Sequence, residues 1–152
     1  MIIAPLVRRM FRISPKGDQI VSVQGHKMLF GVASEAHLDM SEGTWEPGVV
    51  TLLEKRLSLG MTFVDLGAHI GFFTLMAAKQ VGKGGSVYAF EPAPENFELL
   101  TKNISLNGYS NVAPIQMAVS NVEGFTTLYL NPYSVAHSLH QDTFGKSREE
   151  LR

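Results

Sequence analysis

The sequence predicts an α/β fold built on a parallel sheet, and three observations support this fold class. Short apolar segments alternate with amphipathic helical segments between residues 47 and 119. The helical segments have a proline near their start or a glycine just beyond their end, which are the usual boundary signals. The chain has 152 residues, 45% of them hydrophobic, which suffices for one globular domain with a core.

A β-hairpin is predicted before the alternating segments. Two short apolar runs, Ile20–Val23 and residues 27–32, flank Gln24-Gly25-His26, which is typical of a tight turn. Residues 34–46 are polar and contain Gly43, so they predict a loop. We therefore expect residues 1–46 to form an N-terminal extension that carries this hairpin.

The middle of the chain predicts three strands and three helices in alternation. The predicted elements are a helix over 47–59, a strand over 62–66, a helix over 71–81, a strand over 86–90, a helix over 94–107 and a strand over 112–119. Parallel strands joined by right-handed crossovers follow from this order. Pro114 cannot donate a hydrogen bond within a sheet, so the last of these strands should lie at an edge, as the strand order 3-2-1 requires.

The carboxyl-terminal part is predicted to be less regular. Residues 125–130 alternate as a strand that could pair back antiparallel, and residues 132–152 form a polar segment without a clear period. The predicted division is thus an extension over 1–46, a core over 47–131 and a polar segment over 132–152.

Composition excludes several function classes. Thirteen Lys and Arg balance fourteen Asp and Glu, so the broad basic surface of a general nucleic-acid binder is absent. Zero cysteines exclude a disulfide framework, a thiolate nucleophile and zinc sites built on Cys. No apolar run reaches the roughly 20 residues of a membrane span, and Arg8 and Arg9 follow the first apolar residues instead of preceding them. We expect a cytoplasmic chain that binds neither nucleic acid nor membrane, and no metal, because His137 and His140 have no third ligand at a convincing spacing.

The turn after the first core strand predicts a ligand site. Asp65 ends this strand, and Gly67 and Gly71 lie between it and the next helix, which places a ligand at a helix N-terminus. The dinucleotide fingerprint G-x-G-x-x-G fails at two of three positions, because His69 and Phe72 replace glycines. A carboxylate here would repel a pyrophosphate and suits a ligand with positive charge, such as S-adenosylmethionine with its ammonium and sulfonium groups.

A second acidic residue ends the next strand. Glu91 follows Asp65 by 26 residues and can accept hydrogen bonds from the two hydroxyls of a ribose. Taken alone, the glycines could serve only the geometry of the turn, Asp65 could be an N-cap, and Glu91 could be a solvated loop carboxylate. Together, in this order, the two acids and the glycine turn favour a nucleoside with a cationic tail.

The residues around these acids resemble one family closely. Residues 64–74 (VDLGAHIGFFT) and 87–92 (VYAFEP), with similarity extending over about 45–139, resemble the FkbM family of S-adenosylmethionine-dependent methyltransferases. The resemblance implies a class I, Rossmann-like parallel sheet with helices on its faces. It also implies an enzyme that transfers a methyl group, here to a hydroxyl oxygen of a small molecule or saccharide.

The resemblance assigns cofactor-binding roles residue by residue. Residues expected to contact S-adenosylmethionine are Glu46, Asp65, Gly67, Ala68, His69, Gly71, Glu91, Pro92 and Ala118. Asp65, Gly67, Ala68 and Gly71 would line its methionine and ribose part, and Glu91 would hold the ribose hydroxyls. Pro92 and the backbone at Ala118 would flank the adenine, and Glu46 would lie near the amino-acid end.

Two departures from the family pattern bear on function. His69 stands where the family usually has Asn. The family also continues with a Lys-x-Asp-x-Glu-Gly strand and the rest of a seven-stranded sheet, so the resemblance implies that these residues correspond to the cofactor-binding half. We expect the apolar edge of Thr62–Leu66 to be uncovered and to favour self-association. The alternatives are a catalytically incomplete cofactor-binding fragment that needs a partner chain and, disfavoured by His69 and Phe72, a nucleotide-dependent oxidoreductase.

Overall fold

The computed structural model describes residues 20–31, 35–121, 123–130 and 147–151. Its strands are β1 (Ile20–Val23), β2 (His26–Leu29), β3 (Thr62–Leu66), β4 (Ser86–Phe90), β5 (Val112–Ile115), β6 (Thr126–Leu130) and β7 (Ser147–Leu151). Its helices are α1 (Glu35–Glu42), α2 (Pro47–Arg56), α3 (Phe72–Val81) and α4 (Pro94–Asn107). The predicted alternation of strands and helices over the middle of the chain is confirmed.

The central sheet has the predicted order. Strands β3, β4 and β5 are parallel neighbours in the order β3-β4-β5, so β5 with Pro114 lies at the edge. Because Leu66 is paired with Phe90, strands β3 and β4 end side by side. The residues that follow these two ends, which include Gly67 and Glu91, therefore begin at the same edge of the sheet.

Both crossover helices pack on one face of this sheet. Val87 and Ala89 in β4 point to that face and are 0% exposed, and Ala89 shares a core cluster with Leu75 of α3 and Leu100 of α4. The opposite face is open among the described residues, with Val64 51% and Tyr88 42% exposed. The sheet is thus buried on one side only, with its core between the strands and α3 and α4.

The prediction of a loop over residues 34–46 is wrong for residues 35–42. Helix α1 covers Glu35–Glu42, and its Ala36, His37 and Met40 are buried at one-turn spacing. The helical period was hidden because one position of the buried face is a histidine, which counts as polar in a sequence pattern.

The N-terminal hairpin is attached to α4 by two asparagines. Asn103 accepts a hydrogen bond from the Leu29 N–H (2.6 Å) and donates one to the Leu29 carbonyl (3.0 Å). Asn107 does the same with Lys27, at 2.9 and 2.7 Å. Four residues of helix rise about 6 Å and two residues of strand about 6.6 Å, so the two carboxamides match alternate residues of β2. The pair therefore satisfies the edge of β2 that would otherwise lack partners.

The carboxyl-terminal prediction needs one correction. The strand predicted over 125–130 is present as β6, and it pairs antiparallel with β7. The segment 132–152 was expected to be irregular, whereas Ser147–Leu151 form a strand. Residues 131–146 lie outside the described residues. Among the described helices, none has the length and apolarity needed to cross a membrane.

Gly71 precedes α3 at a point of close packing against α4. Its φ of +98° is unfavourable for other residues, and a Cβ here would lie 2.9 Å from Cδ1 of the fully buried Leu100. We expect Gly71→Ala to lower the free energy of unfolding by about 2–4 kcal/mol, from backbone strain and overpacking together. Urea denaturation measures this change.

Gly48→Ala is the matched control for this substitution. Gly48 lies in α2, has open space around it and has no strained φ. Alanine there should leave the stability unchanged or raise it by at most about 1 kcal/mol. Equal losses of stability from both substitutions would show that the contact with Leu100 does not restrict the residue at position 71.

Candidate cofactor-binding site

Two turns meet at the carboxyl edge of the central sheet. The first joins β3 to α3 over residues 67–71, and the second joins β4 to α4 over residues 91–93. The Gly67 and Ala68 N–H groups both donate to the Phe90 carbonyl at 2.9 Å, so the first turn is bound to the end of β4. With its φ of +80° and nothing within 4 Å of a would-be Cβ, Gly67 leaves open space above the backbone.

The Glu91 carboxylate joins these two turns. Its Oε2 accepts a hydrogen bond from the His69 N–H at 2.8 Å. Its Oε1 accepts bonds from the Ala93 N–H at 3.0 Å and from the Asn96 side chain at 3.4 Å. Burial raises the pKa of Glu91, and the three hydrogen bonds and the nearby Asp65 modify this shift, the bonds downwards and Asp65 upwards. Glu91 is 5% exposed, and it spends most of its acceptor capacity on the protein's own N–H groups.

Asp65 lies beneath the first turn. Its carboxylate accepts a hydrogen bond from the Thr74 hydroxyl of α3 at 2.5 Å and is 9% exposed. Burial raises the pKa of Asp65, and the hydrogen bond from Thr74 opposes that shift. The side chain therefore points towards the start of α3, where its charge lies under the glycine turn.

A cavity of about 200 Å³ opens beside this turn. It is lined by Met40, Trp45, Glu46, Gly67, Ala68, His69, Phe72 and Phe73. Four predicted site residues, Glu46, Gly67, Ala68 and His69, are thus brought together. Small-molecule sites commonly span about 300–1,000 Å³, so this cavity suits one end of a ligand whose remainder lies along the open edge.

The other predicted site residues do not line the cavity. Asp65 and Glu91 lie under and beside the turn, and Gly71 packs against Leu100. Ala118 packs against a small cluster of Ala93 and Leu128, next to the second turn. Pro92 follows Glu91 in that turn and is half-buried.

Three aromatic rings form a stack that the sequence patterns did not predict. Phe30 follows β2 and stacks on His37 of α1 with ring centroids 5.0 Å apart. His37 in turn stacks on His69 at 5.7 Å. The N-terminal extension thus reaches the ligand turn. Only the helical spacing of Ala36, His37 and Met40 could have revealed this stack, because that spacing places the His37 imidazole on the buried face of a helix.

The charges of the site favour a cationic ligand group. Glu46 is the one charged side chain among the lining residues, and none of them is Lys or Arg. Within the described residues, no cluster of three or more His, Asp or Glu side chains could hold a metal ion. His137 and His140 lie outside the described residues. The cavity is therefore acidic and built from backbone, aromatic and carboxylate groups.

A parallel sheet in 3-2-1 order, with a glycine turn and an acidic residue at neighbouring strand ends, defines a Rossmann-like ligand-binding domain. The sequence model of the methyltransferase FkbM domain matches residues 65–151, which is more than half of the chain. This protein belongs to the FkbM methyltransferase family, as its sequence motifs indicated.

Curated relatives include enzymes with different acceptors. The chain is 33% identical over 60 residues to a protein-L-isoaspartate O-methyltransferase of Methanococcoides burtonii, covering 40% of this chain and 30% of that protein. It is 33% identical over 110 residues to a tRNA(Phe) (4-demethylwyosine(37)-C(7)) aminocarboxypropyltransferase of Methanocaldococcus jannaschii, covering 64% and 43%. The chain thus spans less than half the length of each of these relatives.

Solved structures show the same fold. The M. jannaschii tRNA m1G37 methyltransferase is similar with a TM-score of 0.52 and 25% identity, over 69% of this chain and 31% of that one. The P. horikoshii TYW2 structure in complex with MeSAdo has a TM-score of 0.53 at 23% identity, over 71% and 39%. At 23% identity, the similarity to the TYW2 structure shows a shared fold and nothing more.

The raised pKa of Glu91 has a measurable consequence for stability. A folded-state pKa above the ordinary value means that the folded protein holds this proton more tightly than the unfolded chain does. Its contribution is fully present below about pH 4 and is lost as the pH rises through the raised pKa. We expect Glu91→Gln, which cannot ionise, to gain stability relative to wild type between pH 4 and pH 7 in urea denaturation.

Glu98→Gln is a control with the opposite sign. The Lys102 ammonium, which forms a hydrogen bond with this exposed carboxylate, lowers the pKa of Glu98. The wild type should therefore gain stability relative to Glu98→Gln as the pH rises. A pH-independent difference between Glu91→Gln and wild type would contradict the assignment of a raised pKa to Glu91.

Proposed function

We propose that this chain is the cofactor-binding part of an S-adenosylmethionine-dependent methyltransferase. The single observation that carries the proposal is the acidic cavity beside the glycine turn, at neighbouring strand ends of a sheet that belongs to the FkbM family. The match of the family model to residues 65–151 supports the reaction class.

The residues present fit this cofactor better than they fit a dinucleotide. The lining residues provide Glu46 for an ammonium group and no cation for a pyrophosphate. His69 and Phe72 occupy positions where a dinucleotide turn needs glycine. The open space above Gly67 allows close approach of a ligand to the backbone. These features argue against the oxidoreductase alternative.

Each side chain has a specific task in the proposed complex. Glu46 would bind the ammonium of the amino-acid end, and Gly67 and Ala68 would present backbone to the adjoining part. Glu91 would accept a ribose hydroxyl with its remaining acceptor capacity while it holds the two turns together. When bound, S-adenosylmethionine supplies a methyl group on a positively charged sulfur. The protein's contribution is then mainly to orient the reactants.

The proposed acceptor is a hydroxyl oxygen of a small molecule or saccharide. The relatives' names describe protein, tRNA and cobalt-precorrin substrates, so membership of this fold does not decide the acceptor. The tRNA-acting relatives weigh against the expectation that nucleic acid is excluded, although the net charge of −1 gives no positive support for it. Methyl transfer from isotopically labelled cofactor to hydroxyl compounds and to tRNA separates these acceptors.

A second candidate is a cofactor-binding fragment that needs a partner chain. It is favoured by the open face of the sheet, where Val64 and Leu66 are 51% and 61% exposed, and by β3, which pairs only with β4 among the described strands. Such an edge also supports the proposal of self-association. Sedimentation of the isolated chain measures whether it forms a dimer. A dimer that binds the cofactor but transfers no methyl group would favour this candidate.

Cofactor binding is the first test of the proposed function. Calorimetric titration of the chain should show binding of S-adenosylmethionine and not of NAD. Glu91→Ala should weaken that binding by about 1–3 kcal/mol, because it removes the ribose contact and releases the His69 N–H. Glu98→Ala, on the exposed side of α4, is the control and should bind like wild type. Binding of NAD alone would overturn the proposal.

Protonation should be linked to this binding. Burial raises the pKa values of Asp65 and Glu91, and a cationic ligand nearby favours their ionised forms. Binding should therefore release protons, and the affinity should fall as the pH drops through the raised pKa values towards about pH 4. Titrations in buffers of different ionisation enthalpy measure the released protons. Proton uptake instead of release would contradict the placement of a cation near these carboxylates.

A further inference from the structure

Asn103 has one more hydrogen bond than its role in the hairpin requires. Besides the two bonds to the backbone of Leu29, its amide donates a second N–H to the Ile70 carbonyl at 2.8 Å. The side chain is 0% exposed, so both of its N–H donors and its oxygen are satisfied by protein backbone alone. One carboxamide thus connects β2, α4 and the β3–α3 turn.

The position of Ile70 explains why this bond matters. Ile70 lies between His69, whose φ is +51°, and Gly71, whose φ is +98°. Two turn residues with positive φ, one on each side of a branched residue, form a conformation that needs restraint from its surroundings. Glu91 holds the turn at the His69 N–H, and Asn103 holds it at the Ile70 carbonyl.

We propose that Asn103 is a positioning residue for the cofactor turn and that it couples the N-terminal hairpin to this turn. This inference rests on the proposed function, because it assumes that residues 67–71 bind the cofactor. Asn103 does not line the cavity, so it acts through the backbone of Ile70 and the orientation of the His69 N–H. Loss of its amide should leave a folded protein with a loosened turn.

The chain contains a matched control for this role. Asn107 lies one turn further along α4 and makes the same two bonds to the backbone of Lys27. Its second N–H bond goes to the Asn103 carbonyl within the helix at 2.8 Å, and not to the turn. Substitution of Asn107 therefore weakens the attachment of the hairpin without releasing Ile70.

The experiment compares N103A with N107A in two measurements. Amide hydrogen exchange of the His69 N–H, relative to the amides of β4, should accelerate by about tenfold in N103A, which corresponds to the loss of about one buried hydrogen bond. It should change by less than about threefold in N107A. The dissociation constant for S-adenosylmethionine should rise by about tenfold in N103A and stay within about twofold of wild type in N107A.

The outcomes separate this inference from the proposed function. If wild type does not bind S-adenosylmethionine, the proposed function fails, and the exchange of the His69 N–H still decides the role of Asn103. Equal changes in N103A and N107A in both measurements would overturn the inference, since they would show a purely structural attachment. If N103A does not fold, N103S, which keeps a hydroxyl donor, is measured against N107S with the same criteria.

Discussion

The buried carboxylate of Glu91 is the interaction on which the site depends. It accepts hydrogen bonds from the His69 N–H of the first turn, the Ala93 N–H of the second turn and the Asn96 side chain of α4. Parallel strands bring their ends together, but they do not determine how the following turns are arranged. Glu91 contributes to that arrangement here, because its oxygens accept hydrogen bonds from the His69 N–H of the first turn and the Ala93 N–H of the second turn.

A buried carboxylate of this kind favours a particular ligand charge. Burial disfavours the ionised form of Glu91, and the neighbouring Asp65 adds repulsion. Hydrogen bonds from neutral N–H groups reduce this cost without supplying a positive charge. A ligand that carries positive charge would lower the energy of both carboxylates, whereas a phosphate would raise it. The same groups that hold the turns would therefore also suit the cationic ligand of the proposed function.

The sequence predicted the central elements well because their signals are local. Pro114 indicated an edge strand, and the helix Pro94–Asn107 has its proline and glycine at the positions where the structure begins and ends it. Helix α1 and strand β7 were missed for physical reasons. The buried face of α1 includes His37, whose burial depends on stacking with Phe30 and His69, and β7 is polar and is stabilised by pairing with β6. The roles of Asn103 and Thr74 depend on tertiary neighbours that no local pattern reveals.

The site itself draws on both sides of the point where the family match begins. Gly67, Ala68 and His69 lie within residues 65–151, whereas Trp45 and Glu46 precede them. The glycine turn, from Gly67 onwards, and Glu91 after the second core strand both lie inside the matched region. Met40, Trp45 and Glu46, which line the cavity, belong to the N-terminal extension, whose hairpin is attached to α4 by Asn103 and Asn107. The amino-acid end of the proposed ligand would therefore contact the extension at Glu46 as well as the backbone of the turn.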